Sequence, residues 1–306
     1  MLITNTETDA RLAVRAARAG AAVVRALYGG PLERYDKGAG DFATAADLAA
    51  ERAILDVLRA ARPDDAVTGE ESGRTGAEHA RRQWWVDPLC GTLNYAVRTP
   101  LVAVNVALRD GDEVTAAAVA DPLTGEVFWT EGKRAWSRGD ADAGAGGGAG
   151  AAVGTGLGDG AGLGDGGDGG DADGDTELVP SAASGLVDLN LDPPFPNAPR
   201  FRAAHLLTDP AFGERFRPRV VSTSLAVAWV AAGRRAAYVT DGHLRDSVHF
   251  TAGIALCQAA GCVVTDLDGR PPHTGAGGLI VAADEPTHAI LRDLVRRQGQ
   301  PPTTER

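Results

Sequence analysis

Between Trp84 and Tyr95 the chain reads Trp-Trp-Val-Asp-Pro-Leu-Cys-Gly-Thr-Leu-Asn-Tyr, and this stretch constrains the fold more than any other. An apolar, strand-forming run (Trp84, Trp85, Val86) delivers a carboxylate, Asp87, and Pro88 then fixes the backbone as the chain turns. Gly91-Thr92 follow where a helix can begin. The first N–H groups of a helix have no partner inside it, so that point can hold a phosphate. Strand, turn and helix start therefore set an acid beside an anion-binding backbone, with Cys90 between them.

Other acids fall at similarly informative places. Gly69-Glu70-Glu71-Ser72 follows the short apolar run Ala66-Val67-Thr68, which puts its carboxylates at a strand end facing a cleft. Asp47 and Glu51 are four apart and share one helical face. Residues 113–139 read as strands punctuated by Pro and Gly around Asp121-Pro122-Leu123-Thr124-Gly125-Glu126. The pattern predicts helices over residues 7–27, 44–61, 225–232 and 248–259 and at the C-terminus. It predicts strands near 66–69, 83–87, 101–108, 114–120, 127–130, 236–239, 262–266 and 278–282. Pattern alone gives an α/β or α+β class.

The net charge is −11, but residues 139–175 hold eight Asp and no Lys or Arg, so the remainder carries only −3. That balance offers no basic patch and argues against a nucleic-acid partner. The same Gly/Ala/Asp tract, residues 140–175, has almost no apolar side chain with which to pack, and a flexible, dispensable loop is expected there. Three cysteines (Cys90, Cys257, Cys262) make no disulfide framework and suit a reducing compartment. No signal-peptide-like core opens the chain and no apolar run reaches membrane-spanning length, which points to the cytoplasm and away from a membrane.

Taken together, these blocks resemble the inositol monophosphatase family, Mg²⁺-dependent phosphomonoesterases of a lithium-sensitive superfamily. Residues 85–95 are similar to its Trp-x-Asp-Pro-x-Asp-Gly-Thr-x-Asn-Phe signature, with Cys90 where the second Asp would stand. Residues 69–71 resemble its Gly-Glu-Glu block, and Lys37 with residues 41–51 its Lys-x-x-x-Asp-x-Val-Thr-x-x-Asp-x-x-x-Glu block. Residues 222–233 and Ala252-Gly253 resemble its last two blocks, with His249 in place of a metal-binding Asp. The resemblance implies a layered αβαβα sandwich of the inositol monophosphatase and fructose bisphosphatase type. Its two halves would be residues 1–138 and 177–306, separated by a disordered insertion over 139–176. It also points to a homodimer.

For the site, the resemblance implies one metal held by Glu70, Asp87 and the Leu89 carbonyl, oxygen donors suited to Mg²⁺. A second metal would meet Asp87, Cys90 and His249, a set better matched to Zn²⁺ or Fe²⁺. Cys90 and His249 are expected on the opposite wall of the cleft from Glu70. Asp246, one helical turn before His249, is the other candidate for the late ligand. Thr92 and Asp47 would activate water, with Glu70 and Cys90 as further catalytic candidates. Gly91, Thr92, Ser222 and Asp246 would bind substrate.

Plainer roles compete with these. Cys90 can be a small buried hydrophobe, His249 a helix-start residue bonded to Asp246, and Glu71 a solvated neighbour of Glu70. Cys257 and Cys262 fit a core, and His243 and His273 a solvated surface. The expected function is a phosphomonoesterase acting on a small polyol, sugar or cyclitol phosphate. The alternatives are a repurposed site using a Cys/His pair or altered metal for other chemistry, and a silent phospholigand-binding protein.

Overall fold

The computed structural model describes residues 7–38, 41–139, 174–192, 201–242, 244, 247–272 and 277–298. Helix α1 (Asp9–Leu27) starts where the Thr8 side chain accepts the Arg11 N–H at 3.3 Å. It buries Leu12, Ala13, Ala16, Ala17, Gly20 and Val24 along one face. A hairpin of β1 (Arg34–Gly38) and β2 (Asp41–Thr44) leads into α2 (Ala45–Ala61). Thr44 and Asp47 close a capping box at the start of α2. The two helices pack closely at Gly20, where a Cβ would lie 2.7 Å from the Ile54 side chain.

Next come β3 (Ala66–Gly69), β4 (Gly73–Thr75), β5 (Arg82–Cys90), α3 (Thr92–Ala96), β6 (Ala103–Asp110), β7 (Glu113–Ala120), β8 (Val127–Thr130), β9 (Ala135–Arg138) and β10 (Thr176–Glu177). These strands form one sheet in the order β10-β9-β8-β7-β6-β5-β3-β4, antiparallel except where β3 runs parallel to β5. The second sheet takes β11 (Leu186–Asn190), β12 (Arg217–Val220), β13 (Ala237–Thr240), β14 (Val263–Thr265) and β15 (Leu279–Ala282), in the order β12-β11-β13-β15-β14. Here β11 is parallel to both its neighbours. The helical elements of this half are a 3₁₀ segment (Ala203–Thr208), α4 (Pro210–Arg215), α5 (Leu225–Ala231), α6 (Thr251–Ala259) and α7 (Glu285–Gln298).

Stacking these elements gives five layers, α1/α2, the large sheet, α5/α6, the small sheet, and α7 with the 3₁₀ segment and α4, the expected αβαβα sandwich. Three apolar seams hold it together. The first joins Leu12, Val24, Ile54 and Leu58 to Trp84, Val86, Val104 and Val106. The middle seam joins Trp85, Ala107 and Phe128 of the large sheet to Leu225, Val227 and Leu256 of the helices and Tyr238 and Val281 of the small sheet. The third packs Leu291 and Leu294 on Val187, Leu189 and Ile280. No helix among the described residues is long and apolar enough to cross a membrane.

The strongly periodic helices and strands fall where the sequence predicts them, but α6 begins at Thr251 rather than at Val248. The expectation for residues 140–175, and for an insertion over 139–176, is corrected at its far end. Thr176–Glu177 pair with Trp136–Ser137 as β10, and Asp175 accepts Arg138 Nε at 2.6 Å and Trp129 Nε1 at 3.3 Å. Residues 140–173 lie outside the described residues. Replacing residues 141–173 with a short Gly/Ser turn is expected to leave thermal unfolding nearly unchanged. Asp175→Ala, which removes the carboxylate that Arg138 and Trp129 donate to, should destabilise by about 1–3 kcal/mol in chemical denaturation.

Candidate active site

The site begins at a break in the pleat. Along β5, Asp87 pairs with Asn105 and Cys90 with Ala103, so three steps on one strand face two on the other. Pro88 sits in this bulge, and the bend turns Asp87 into the gap between the two sheets, where it is fully buried. Its Oδ1 accepts the Leu89 N–H at 3.0 Å and its Oδ2 the Asn105 side-chain amide at 3.2 Å. Gly91 then turns through φ 93°, and a Cβ there would lie 2.7 Å from the Leu101 carbonyl, so only glycine makes this turn. Asn94 ties the following helix down by donating to the carbonyls of Leu101 at 2.9 Å and Ser222 at 2.6 Å.

Glu70 comes from the end of β3, as expected, and its backbone N–H donates to Val86 at 3.0 Å. Its side-chain Oε2 is buried without a donor. Lys37 bonds Glu70 Oε1 at 3.3 Å and Glu71 Oε1 at 2.7 Å. Glu71 is thus no solvated neighbour, since its side chain is only 5% exposed and ion-paired. Burial and the adjacent Asp87 charge raise the Glu70 carboxyl well above the usual carboxylate range.

His249 lies in the turn before α6 and places Nδ1 2.7 Å from Asp87 Oδ2 and 4.0 Å from Glu70 Oε2. It is in direct contact with Asp87 rather than on an opposite wall, because a fully buried carboxylate draws in the nearest cation. Burial opposes protonation of the ring, but Asp87 more than offsets it, and the imidazole pKa is raised well above its ordinary value. Asp87 is correspondingly lowered despite its burial, through His249 and the hydrogen bonds it accepts. Cys90 faces the same cluster, and its ligand atom, like those of Asp87 and His249, lies within 4.8 Å of the other two. Burial and the Asp87 charge push its thiol up.

On the α2 side, Thr92 Oγ1 is 3.1 Å from Asp47 Oδ1 and 3.1 Å from the Leu89 carbonyl. Asp47 is fully buried and is raised to about 6, burial outweighing the bonds from Thr44 and Thr92. Ser222 bonds Asp192 at 2.5 Å beside Asn94 and Gly91. Cys257 is in the core as expected, and Cys262 is half-buried against it. Asp246, His243 and His273 lie outside the described residues.

The family model for the inositol monophosphatase family matches residues 5–146 and 190–299. The chain belongs to that family. It is 31% identical over 274 residues to an inositol-1-monophosphatase of Caulobacter vibrioides, covering 87% of this chain and 91% of the relative. It is 30% identical over 293 residues to the Nus factor SuhB of Escherichia coli K12, covering 92% and 94%. Among solved structures, an inositol monophosphatase from Anabaena superposes with a TM-score of 0.68 at 22% identity, covering 98% of this chain and 99% of that one, and supports the fold.

Asn105 and Ser224 are contributors that the family blocks do not single out, whereas Glu51 closes one of those blocks. Asn105 and Ser224 join Asp87 to the helix layer, Asn105 Nδ2 lying 2.8 Å from Ser224 Oγ. Glu51 accepts the N–H groups of Glu71 and Ser72 at 2.9 and 2.8 Å, fastening the Glu70 loop to α2. Asn105 had a signal, a lone amide inside an apolar strand, which must find partners when buried. Ser224 had none.

Asp47 also gives a test of the local electrostatics. Its folded pKa of about 6 lies above the 3.8 of a free aspartate, so the folded chain binds the proton more tightly than the unfolded one. The associated stabilisation is present below about pH 4 and is lost as pH rises through about 6. Asp47→Asn should therefore gain stability relative to the parent between pH 3 and pH 7, by up to about 3 kcal/mol. A stability difference flat across that range would contradict the buried charge.

Proposed function

We propose that the chain is a metal-dependent phosphomonoesterase acting on a small polyol, sugar or cyclitol phosphate. The observation that carries this reading is the Thr92–Asp47 pair at 3.1 Å, set beside the adjacent carboxylates of Glu70 and Asp87. The chemistry of the donors supports one Mg²⁺ held by Glu70, Asp87 and the Leu89 carbonyl. The orphaned Glu70 Oε2 and the crowded second carboxylate both call for a cation. Bound there, Mg²⁺ would supply Lewis acidity toward a phosphoryl oxygen. The Cys90 and His249 side chains do not fit a second Mg²⁺, whose preference is for hard oxygen.

The chain's own groups would do the rest. The Thr92 hydroxyl orients a water, and Asp47, with a pKa of about 6, accepts the proton passed through it near neutral pH. Backbone N–H groups of Gly91 and Thr92 would receive phosphate oxygens, which carry more charge as the bond to the leaving group breaks. Ser222, beside Gly91, would meet the alcohol portion of the substrate. Kinship with a protein named as a Nus factor means that membership alone does not limit this chain to small-molecule partners. The expected absence of a nucleic-acid-linked partner is therefore not part of this proposal.

Steady-state hydrolysis of a generic phosphomonoester in Mg²⁺ tests the reading. Thr92→Ala should lower kcat by about 10²–10⁴, and Asp87→Asn should remove the metal-dependent rate. Cys90→Asp with His249→Asp should raise the Mg²⁺-dependent rate, since two oxygen donors would replace softer ones. Full activity in Asp87→Asn would refute the site assignment, and loss of the native reaction in the double variant would favour repurposed chemistry.

A further inference from the structure

The donor set at Asp87, Cys90 and His249 departs from what Mg²⁺ selects, and the departure is organised. The carboxylate, sulfur and ring-nitrogen atoms all lie within 4.8 Å of one another. We propose that these three side chains form a transition-metal site selective for Zn²⁺ over Mg²⁺, so that the second cation position has changed element. The inference builds on the proposed phosphatase reading, with which it shares Asp87, and names the occupant of its second position.

Sulfur chemistry distinguishes this cysteine from its neighbours. Cys257 is fully buried and donates its S–H to the Val227 carbonyl at 3.2 Å, as a core thiol does. Cys90 does the reverse, its Sγ accepting the Ser224 backbone N–H at 3.3 Å. Although burial keeps this sulfur a thiol in the metal-free protein, the Ser224 amide is placed to stabilise the thiolate that binding a metal would create. Ser224 also reaches Asn105 through its hydroxyl, and Asn105 donates to Asp87 Oδ2. One residue thus braces the thiol directly and the carboxylate through a single intermediary, the outer support that orients metal ligands.

The remaining requirements are met as well. The His249 side chain is 41% exposed, so an ion has a route in from solvent. Two zinc bonds of about 2.0–2.1 Å at a tetrahedral angle hold their ligand atoms about 3.3 Å apart. The Asp87–His249 contact of 2.7 Å must therefore open by roughly half an ångström when an ion replaces the shared proton. Loading releases two protons, one from the Cys90 thiol and one from the His249 imidazolium. Three protein donors leave a four-coordinate zinc one further position, the arrangement of a catalytic rather than a structural zinc.

The test titrates metal-free full-length protein with Co²⁺, a spectroscopic stand-in for zinc, and follows the thiolate-to-cobalt charge-transfer absorption. One equivalent should give the band, Zn²⁺ should abolish it stoichiometrically, and about a 1,000-fold excess of Mg²⁺ should leave it in place. Cys90→Ser should remove the band and His249→Gln should weaken Co²⁺ binding at least tenfold, each variant checked for an unchanged circular dichroism spectrum. Cys262→Ser should keep the band. Absence of a band in the folded parent protein, its persistence in Cys90→Ser, or its displacement by Mg²⁺ would overturn the proposal. Asp47→Asn separates the two readings, because it should keep the cobalt band while losing hydrolysis. A cobalt band in a parent protein that hydrolyses no phosphomonoester would leave the metal site standing and sink the phosphatase reading. Mg²⁺-driven hydrolysis without a band would do the opposite.

Discussion

A fully buried carboxylate governs this structure. Asp87 sits where the two sheets and the central helices meet, out of contact with water, and an isolated charge in such a place would cost several kcal/mol. Its surroundings offset that cost: a backbone N–H from Leu89, an amide from Asn105 and the ring of His249. His249 arrives from 162 residues further along the chain, so the charge at Asp87 fastens the second half to the first. Glu70 then adds a second acid to the same crevice, and its buried Oε2 accepts no hydrogen bond.

Glycine and a helix hold these acids in place. Gly69 lets the Glu51 carboxylate lie against the backbone, since a Cβ there would fall 2.5 Å from Glu51 Oε2. Because α2 carries both Glu51 and Asp47, one rigid element positions the Glu70 loop and the Thr92 partner together. Substitution of Gly69 would therefore disturb both sides of the site at once.

The sequence was most legible where local chemistry suffices. Amphipathic α1 and α2 and the alternating strands of the large sheet stand within a few residues of their predicted bounds, because periodic burial dictates them. Asp87, Glu70, Thr92 and Asp47 were readable because strand end, turn and helix start lie within short stretches. The hairpin β1–β2 is not legible in the sequence, since β1 is exposed along its whole length and shows no alternation. Edge strand β12, Arg-Pro-Arg-Val, is mostly exposed and likewise shows no alternation of apolar and polar residues. The contact of His249 with Asp87, the pairing of Glu71 with Lys37 and the bracing by Ser224 are products of tertiary packing, and spacing along the chain carries no trace of them.

The middle apolar seam has a kinetic meaning. It draws on both sheets and on the helices between them, so swinging the halves apart would bare Trp85, Tyr238 and Leu256 together. At about 1.5–3 kcal/mol for each large side chain exposed, such an opening would consume much of the 5–15 kcal/mol that holds an ordinary domain folded. Among the described residues, the two halves are therefore fastened together rather than hinged. Whatever enters the crevice therefore meets a preformed shape, set by side chains on elements that do not part.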